Sequence, residues 1–533
     1  MSTAPLPRVS PQTLPQLVRS GVARFGEREA VVDGLNRVTY EDLGEQVTTT
    51  ARGLLAAGLR PGDRVAIWAP NSLRWVVSAM ALYSVGAIVV PVNTRFKGPE
   101  ARYVLEKSGA RMLLVENGFL GNDYLAMLAA AGPRPPDLET VIRLDDPSDG
   151  GFSDGISWRA LLDRAEQVTP EAAAAVGDDV APDDVSDIIF TSGTTGHPKG
   201  VQLTHGQSVR VYESWSDIAG LQEGDRYLVT LPFFHGGGNK AGMIASLLRG
   251  ATIVPMATFD ARDAMALIEA ERVSVMNGPP TIYNSILDHP DREKFDLSSL
   301  RMAATGAAVV PMAMVLRVHA ELPFKTFVTA YGLTECCGTA TMCRPSDGPA
   351  TVAETNGRPL PGVELRIVDR AGAPVPDGDA GEVVIRGYNV TRGYFDDESA
   401  TARAIDDDGW LHTGDVGSLD DGGNLRITDR LGDMIIVGGF NVYPAEVEQA
   451  LAHHEAVSEV AVVGVPDDRL GEVGRAYVIR RPGVVVAEDD IIAWCRERLA
   501  NFKVPRSVVF VDDLPRNATG KVLKRRLRDG QPG

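Results

Sequence analysis

A loop of glycine and hydroxyl-bearing residues is the most informative segment of the chain. Residues 187–201 read DIIFTSGTTGHPKGV, in which Ile188 to Thr191 predict a short buried strand. The loop then supplies hydroxyl donors, glycines that let backbone N–H groups approach a ligand, and the cation of Lys199, which together can hold a polyphosphate. Ordinary turns share this composition, and a Walker A loop is excluded because Pro198 stands five residues after Gly193. The candidate phosphate ligands are Thr191, Ser192, Gly193, Thr194, Thr195, Gly196 and Lys199.

A second polar segment, AYGLTE at residues 330–335, combines three side chains that suit a bound nucleotide. Tyr331 offers a ring face on which adenine can stack. Thr334 offers a hydroxyl to a phosphate, and Glu335 offers a hard oxygen ligand for Mg²⁺, which binds one or two carboxylates together with phosphates. A trio of this kind alone is also typical of surface packing, so its significance depends on the first loop.

Three further residues follow in polar motifs. Asp415 ends WLHTGD, and a carboxylate there can accept hydrogen bonds from both ribose hydroxyls. Arg430 ends ITDR and offers a guanidinium. Lys521 ends NATGK in a loop that presents a single lysine near the end of the chain. Taken singly, these residues also fit surface ion pairs or an ordinary turn.

The motifs TSGTTGHPKG, YGLTE, WLHTGD, ITDR and NATGK together resemble the signatures of the adenylate-forming superfamily. That superfamily includes acyl-CoA ligases, luciferases and peptide-synthetase adenylation domains. The segments GPPTIYNSILDHP, FDLSSLR and GGFNVYPAEVEQAL are similar to actinobacterial acyl-CoA ligases of the steroid-degradation type, which act on a bicyclic ring-derived propanoate. The resemblance implies a two-step reaction of a small-molecule carboxylic acid with ATP, Mg²⁺ and coenzyme A, through an acyl-adenylate.

The resemblance also carries roles to matching positions. Catalytic roles fall on Lys521, His235, Thr191 and Glu335, with Mg²⁺ expected on Glu335 and Thr191. Coenzyme A is expected beside Gly438, Gly439 and Phe440, and the hinge between two domains at Gly432, where relatives usually carry a lysine or aspartate. Besides the phosphate loop, the ATP or AMP site is expected to include Gly306, Ala307, Ala308, Tyr331, Gly332, Thr334, Asp415, Arg430 and Lys521.

The acyl pocket is expected to mix small residues with polar ones, whereas a long alkyl tunnel would be more uniformly apolar. The stretch from His235 to Asn239 departs from the steroid-type pattern, so fatty and aryl acids stay open as substrates. The residues expected to line the pocket are Tyr212, Trp215, Gly238, Asn239, Lys240, Val310 and Cys336.

Other functions stay open at this point. The activated group could pass to an amine, or another oxyanion such as nitrite could be activated for N–N bond formation. Gly236, Gly238 and Ala241 match the G-x-G-x-x-A fingerprint of a nicotinamide-dependent oxidoreductase. Against this reading, Pro232 and His235 stand between the preceding strand and the glycines. A non-catalytic nucleotide sensor is the remaining alternative.

The charge and composition of the chain limit the kinds of partner and the location that can be expected. The 533 residues carry a net charge of −18, which disfavours a nucleic-acid partner or an anionic membrane surface. The four cysteines have no regular spacing, which predicts reduced thiols in a cytoplasmic protein. The first residues lack the apolar stretch of a signal peptide, and no apolar run is long enough to predict a membrane span. A homodimer stays open as an oligomeric state.

The elements that must position these residues alternate between short β-like runs and helical periodicity. This alternation predicts an α/β fold with layered, mostly parallel sheets. We expect a large adenylation domain over residues 1–431 and a small mobile α+β lid domain over residues 432–533. Residues 145–184 are polar and predict a loop region, whereas Arg226 to Phe234 predict one buried strand.

Overall fold

A computed structural model describes residues 11–145, 155–191, 198–306, 310–430, 433–437, 440–442, 444–467, 470–496, 499, 501–517 and 521–530. Up to residue 145 the elements are α1 (Leu14–Phe25), β1 (Glu29–Asp33), β2 (Asn36–Thr39), α2 (Tyr40–Ala56), β3 (Arg64–Trp68), α3 (Leu73–Ser84), β4 (Ile88–Pro91), α4 (Gly98–Ser108), β5 (Met112–Val115), α5 (Tyr124–Ala130) and β6 (Thr140–Arg143).

The middle of the chain continues the alternation of strands and helices. Its first elements are β7 (Ile156–Ser157), α6 (Trp158–Asp163), α7 (Pro170–Asp178), β8 (Val185–Thr191), β9 (Lys199–Thr204), α8 (His205–Ala219), β10 (Arg226–Val229), a π-helix (Gly237–Ile244), α9 (Ala245–Arg249) and β11 (Thr252–Pro255). Its later elements are α10 (Ala261–Glu271), β12 (Val275–Asn277), α11 (Pro280–Leu287), β13 (Met302–Gly306), α12 (Met312–Glu321), β14 (Thr326–Tyr331), β15 (Thr341–Met342), α13 (Pro349–Glu354) and β16 (Arg358–Pro359).

The last part of the chain is richer in antiparallel strands. It contains β17 (Val363–Val368), β18 (Gly381–Gly387), α14 (Glu398–Ala404), β19 (Leu411–Leu419), β20 (Leu425–Arg430), β21 (Ile435–Val437), β22 (Phe440–Val442), α15 (Pro444–Leu451), β23 (Val457–Asp467), β24 (Gly471–Arg480), α16 (Glu488–Arg496), β25 (Ser507–Phe510) and α17 (Lys524–Arg528).

Two large sheets with parallel interiors confirm the predicted α/β class. One has the strand order β16-β15-β14-β13-β12-β10-β11-β1-β2, and the other has the order β7-β6-β5-β3-β4-β8-β9. Their antiparallel pairs are confined to the edges, at β1–β2, β14–β15, β15–β16 and β8–β9. Because β13 and β14 are parallel neighbours, their carboxyl ends at Gly306 and Tyr331 lie at the same edge of the sheet.

Local sequence signals fix where the helices around these sheets begin and end. Helix α8 starts at a reciprocal cap in which Thr204 accepts from the Gln207 N–H and the Gln207 side chain accepts from the Thr204 N–H. The helix stops at Gly220, whose φ of 72° is left-handed and therefore favours glycine. The apolar faces of helices α1, α2 and α3 pack with strands of both large sheets in one continuous core.

The two remaining sheets are mainly antiparallel. Strands β17-β18-β19-β20 form one of them in chain order. The other has the order β22-β21-β24-β23, with β25 added in parallel to β24. Helices α15 and α16 cover this last sheet and bury their own apolar cluster, which agrees with the predicted α+β composition after residue 432. The predicted boundary and hinge at residues 431 and 432 lie outside the described residues.

Two predictions about individual elements are wrong. The segment expected to be a loop contains α6 and α7, whose starts are capped by the Ser157 and Thr169 hydroxyls. The segment is polar as a whole, but residues 172–175 are four consecutive alanines, which are strong helix formers. The strand expected to run to Phe234 ends at Val229, because Pro232 cannot continue a ladder and the Phe233 N–H donates to the Asn71 side chain.

Two chemical expectations can be compared with the described residues. All four cysteines are unbonded and buried there, in agreement with the predicted reduced thiols. None of the described helices has both the length and the apolar composition that a membrane span requires.

Candidate active site

Tyr331 and Asp415 join the nine-stranded sheet to the four-stranded sheet. The Tyr331 hydroxyl, at the end of β14, donates to Oδ2 of Asp415 on β19 at 2.6 Å. Burial raises the pKa of Tyr331 well above its ordinary value, and the negative charge of Asp415 adds to that effect. Arg430 lies directly opposite Asp415 in the β19–β20 ladder. Three predicted nucleotide contacts therefore come from adjoining positions.

Glu335 is the meeting point of a second set of contacts. Its Oε1 accepts a hydrogen bond from the Tyr394 hydroxyl at 2.9 Å, and its carbonyl accepts one from the Thr391 N–H at 2.8 Å. The Lys199 ammonium lies 4.9 Å from the centre of the Tyr394 ring, which is a cation–π distance. Because Lys199 begins β9, these contacts connect the seven-stranded sheet to the turn that follows β14.

Thr191 stands at the base of the predicted phosphate loop. It is the last residue of β8, and it is half-buried and paired opposite Lys199 in the β8–β9 ladder. The two residues therefore hold the ends of the loop side by side. The predicted ligands Ser192, Gly193, Thr194, Thr195 and Gly196 lie outside the described residues.

Two predicted glycines have a clear steric reason. A Cβ atom at Gly306 would lie 2.6 Å from the Ala330 carbonyl oxygen, and one at Gly332 would lie 2.5 Å from the Gly338 carbonyl oxygen. Both distances are too short for any side chain, so the backbone can pack closely beside Tyr331 only with glycine at these positions. Thr334 begins the half-buried 3₁₀ turn that carries Glu335. The predicted adenine contacts Ala307 and Ala308 lie outside the described residues.

His235 precedes the π-helix and is only partly exposed. Its Nδ1 accepts the Gly237 N–H at 3.2 Å, which leaves the proton of a neutral ring on Nε2. Dense surrounding protein lowers the pKa of this imidazole, so it is neutral at physiological pH. Gly238 is required in the same turn, since a Cβ atom there would lie 2.3 Å from the Pro232 carbonyl oxygen.

The residues predicted to line the acyl pocket are buried. Tyr212 donates to the Cys337 carbonyl at 3.0 Å, and burial raises the pKa of the Cys336 thiol to about 12. Lys240 was expected as polar lining, and the structure places it at 0% exposure in an ion pair with Asp187 at 2.5 Å. The buried set comprises Tyr212, Trp215, Gly238, Asn239, Lys240, Val310 and Cys336.

Two residues of this region were not predicted from the sequence. Tyr394 was not among the predicted site residues, yet its hydroxyl donates to Glu335. Asp187, which directly precedes the residues predicted as a buried strand, was not predicted as a site residue either, and its carboxylate is the counter-charge of Lys240. A charged residue beside the apolar run Ile188 to Phe190 was an available signal, because a buried charge needs a partner.

The C-terminal residues can be placed only in part. Lys521 is exposed and closes a turn, since its N–H donates to the Asn517 side chain and its carbonyl accepts from the Asn517 N–H. Phe440 begins β22. Gly438, Gly439 and Gly432 lie outside the described residues.

Glu335 provides a suitable ligand for a nucleotide-bound Mg²⁺. Oε2 of Glu335 accepts no hydrogen bond from the residues that the structure describes. Those residues contain no cluster of three His, Cys, Asp or Glu side chains that could bind a metal alone. One carboxylate nevertheless suffices, because Mg²⁺ takes its remaining ligands from phosphates and water.

A cavity of about 680 Å³ beside Tyr394 does not suit a polyphosphate. Its lining includes the carboxylates of Asp396, Asp397 and Glu398 and a single guanidinium, that of Arg392. The excess of negative charge would repel a triphosphate, so this cavity is not a candidate site for the phosphates.

Comparison with known proteins identifies the family of the chain. Residues 18–395 match the family model described as AMP-binding enzyme, and residues 446–521 match the AMP-binding enzyme C-terminal domain. The chain is 51% identical over 525 residues to a 3-(7a-methyl-1,5-dioxo-octahydro-1H-inden-4-yl)propanoyl:CoA ligase of Rhodococcus jostii, covering 97% of this chain and 99% of the relative. It is also 51% identical to the ligase of that name from Mycobacterium tuberculosis, covering 98% of this chain and 99% of that relative.

The structural comparison gives the same family. ATP-bound MatB from Rhodopseudomonas palustris superimposes with a TM-score of 0.85 at 28% identity, covering 97% of this chain and 98% of that one. These relatives do not favour amine transfer, nitrite activation or nicotinamide-dependent oxidation. The chain therefore belongs to the AMP-binding, adenylate-forming enzymes, within which it is an ATP-dependent acid:CoA ligase.

Proposed function

We propose that this ligase activates a propanoic acid carried on a two-ring, ketone-bearing nucleus and transfers it to coenzyme A. The relatives that are 51% identical along nearly their whole length are named for such an acid. The observation that supports the adenylation chemistry is the convergence of side chains from three sheets on Glu335 and Tyr331. Those contacts are Tyr331 with Asp415 and Glu335 with Tyr394, which lies against Lys199.

In this proposal the nucleotide lies across the junction of the three sheets. Tyr331 offers its ring to adenine, while Asp415 and Arg430 hold the ribose hydroxyls. Thr191, Thr334, Lys199 and the loop of residues 192–196 bind the phosphates. Glu335 and Thr191 would hold Mg²⁺, which neutralises phosphate charge and orients the leaving pyrophosphate.

The first step joins the acid to AMP. A carboxylate oxygen attacks the α-phosphorus of ATP, and the bond from that phosphorus to the bridging oxygen breaks as pyrophosphate leaves. Lys521 stabilises the negative charge shared by the carboxylate and the α-phosphate, and His235 closes the site beside the acid. Positioning and charge neutralisation lower this barrier, and no side chain serves as a covalent nucleophile.

The second step transfers the acyl group to a thiol. The sulfur of coenzyme A attacks the acyl carbon, the bond to the AMP oxygen breaks, and the thiol proton passes to solvent. We place the boundary between two domains at residues 431 and 432, with Gly432 as the hinge. Rotation there would withdraw Lys521 and bring Gly438, Gly439 and Phe440 to the site, where glycines leave room for the narrow pantetheine arm.

A pyrophosphate-release assay tests the function directly. The enzyme is incubated with ATP and Mg²⁺ and with ring-derived propanoic, fatty or aryl acids, in the presence and absence of coenzyme A. We expect the highest kcat/KM for a two-ring propanoate and an acyl-CoA product by mass spectrometry. Preference for fatty or aryl acids would overturn the substrate, and amide formation with an added amine but no thioester would overturn the acceptor.

Lys521→Ala separates the two steps. We expect adenylation to fall by at least about a hundredfold, because a developing charge loses its counter-ion, whereas thiolysis of a supplied acyl-adenylate continues. Arg525→Ala is the matched control, since Arg525 is a cation of the same segment with a side chain 75% exposed. Unchanged adenylation by Lys521→Ala would refute the role of this lysine.

A further inference from the structure

A polar cluster is enclosed among elements that also carry candidate site residues. It is made by Tyr83 of α3, Asp187 of β8, His205 of α8, and Asn239 and Lys240 of the π-helix, each at 0% exposure. Five polar side chains at one buried position are costly to desolvate, so each needs a hydrogen-bond partner or a function. We call these residues the Lys240 cluster.

The ionic part of the Lys240 cluster is internally satisfied. Oδ1 of Asp187 accepts from the Tyr83 hydroxyl at 2.6 Å. Oδ2 accepts from the Lys240 ammonium at 2.5 Å and from the Ser186 hydroxyl at 2.6 Å. Both carboxylate oxygens and the ammonium are therefore engaged within the protein, and this ion pair has no need of a ligand.

The neutral part of the cluster is not satisfied. Within the described part of the chain, neither ring nitrogen of His205 has a hydrogen-bond partner, and neither does Oδ1 of Asn239. Burial lowers the pKa of His205 to about 4, so the imidazole is neutral and offers one N–H donor and one acceptor. The Asn239 amide makes a single long contact, from Nδ2 to the Tyr83 hydroxyl at 3.5 Å.

The elements that carry His205, Asn239 and their neighbours also carry residues predicted to bind the acid and the phosphates. Asn239 lies about one π-helical turn beyond His235, which precedes the same helix. Asp187 lies four residues before Thr191 on β8, a distance of about 13 Å along the strand. Cys337, two residues after Glu335, is within electrostatic reach of both Lys240 and Asp187. The cluster therefore includes residues of the strand that carries Thr191 and of the helix that follows His235, and it lies close to the turn that carries Glu335.

We propose that the neutral groups of the Lys240 cluster recognise a ring carbonyl oxygen at the end of the acid remote from its carboxylate. The His205 N–H donates to that oxygen, and Nδ2 of Asn239, whose contact to Tyr83 is long, offers a second N–H donor. A hydrocarbon at this position would leave the buried donors unpaired and would be rejected for that reason. This assignment rests on the proposed function, and it extends that function to a requirement for an oxo acid.

A comparison of two acids with the wild-type enzyme tests the assignment without any variant. One acid is a two-ring propanoate with ring ketones, and the other is the same skeleton with each ketone reduced to a methylene. We expect kcat/KM for pyrophosphate release to be about ten- to a hundredfold higher for the oxo acid. Equal values would overturn the proposal. If the enzyme released no pyrophosphate with these acids or with any other acid, that result would instead count against the proposed function.

Two variants test whether His205 and Asn239 are the residues that bind the ring carbonyl. His205→Leu and Asn239→Leu should each bring the ratio of the two kcat/KM values toward one, chiefly by slowing the oxo acid. Thr50→Val is the matched control, because its hydroxyl is also buried without a partner among the described residues but lies on helix α2. The control should keep the wild-type ratio. A full ratio retained by folded His205→Leu and Asn239→Leu would exclude the cluster as the carbonyl site.

Discussion

Two tyrosine–carboxylate contacts in this protein differ in the other groups that pair with the carboxylate. Tyr83 donates to Asp187 and Tyr394 donates to Glu335, with hydroxyl–oxygen distances of 2.6 and 2.9 Å. Asp187 is fully buried and also binds Lys240, whereas Glu335 is half-buried and its second oxygen has no partner among the described residues. The first carboxylate is neutralised within the protein. The second is left available to a ligand, which is what the proposed role of Glu335 in binding Mg²⁺ requires.

Lys240→Met is the strongest test of this contrast. It leaves the Asp187 carboxylate buried without a counter-charge, so the free energy of unfolding should fall by about 3–5 kcal/mol, as measured by urea denaturation. Arg37→Met is the control, because Arg37 pairs with Glu29 and Glu271 while its side chain is 45% exposed, and exposed pairs contribute about 0–1 kcal/mol. Equal losses of unfolding free energy in the two variants would show that the buried Lys240–Asp187 pair contributes no more to stability than an exposed pair.

Acid should destabilise the buried cluster through His205. Burial lowers the pKa of its imidazole from 6.5 to about 4, so between these values the unfolded chain binds the proton more readily than the folded protein. Stability should therefore be lost as the pH falls through this window, by roughly 3 kcal/mol in total. Asp187, Asp184 and Lys240 provide the charges around the ring.

His205→Phe isolates this contribution. Urea denaturation from pH 7 to pH 4 should show a smaller loss of stability in the variant than in the wild type. Parallel curves for the two proteins would mean that His205 is already protonated in the folded state at the lower pH.

Glu335→Gln tests whether the Glu335 carboxylate binds Mg²⁺. The amide keeps the size of the side chain and removes its charge, so the adenylation kcat/KM should fall about a hundredfold while the urea midpoint stays the same. Raising the Mg²⁺ concentration should recover part of the lost rate. A variant with full activity at low Mg²⁺ would remove Glu335 from the metal site.

Tyr394→Phe should have the smallest effect. It removes the hydrogen bond that orients Glu335, for which we expect about a tenfold loss of kcat/KM and a weaker apparent affinity for Mg²⁺. Tyr388→Phe is the matched control, because Tyr388 is a nearby half-buried tyrosine whose hydroxyl contacts Ser214 at 3.3 Å. Similar losses in both variants would indicate general packing at this edge and no specific support of Glu335.

The sequence predicted the α/β class and most element positions because hydrophobic periodicity and capping residues are local signals. The sequence pattern predicts a strand at residues 64–68 and helices at residues 73–84 and 444–451, and these are the ranges of β3, α3 and α15. Predictions failed where a long-range contact decides the outcome. The Asn71 side chain that receives the Phe233 N–H is remote in sequence, and no periodicity reveals it. The pairing of Asp187 with Lys240, 53 positions apart, could not be read from spacing for the same reason.

The junction of three sheets has a consequence for fragments of this enzyme. Thr191, Tyr331 and Asp415 belong to three different sheets, and the contacts of Tyr331 with Asp415 and of Tyr394 with Glu335 and Lys199 form only when all three sheets are in place. A chain truncated before residue 415 would retain both large sheets and the loop around Lys199 but would lack the partner of Tyr331. Nucleotide affinity should therefore disappear in a single step on limited proteolysis, and capture on an immobilised ATP resin would select for intact layers.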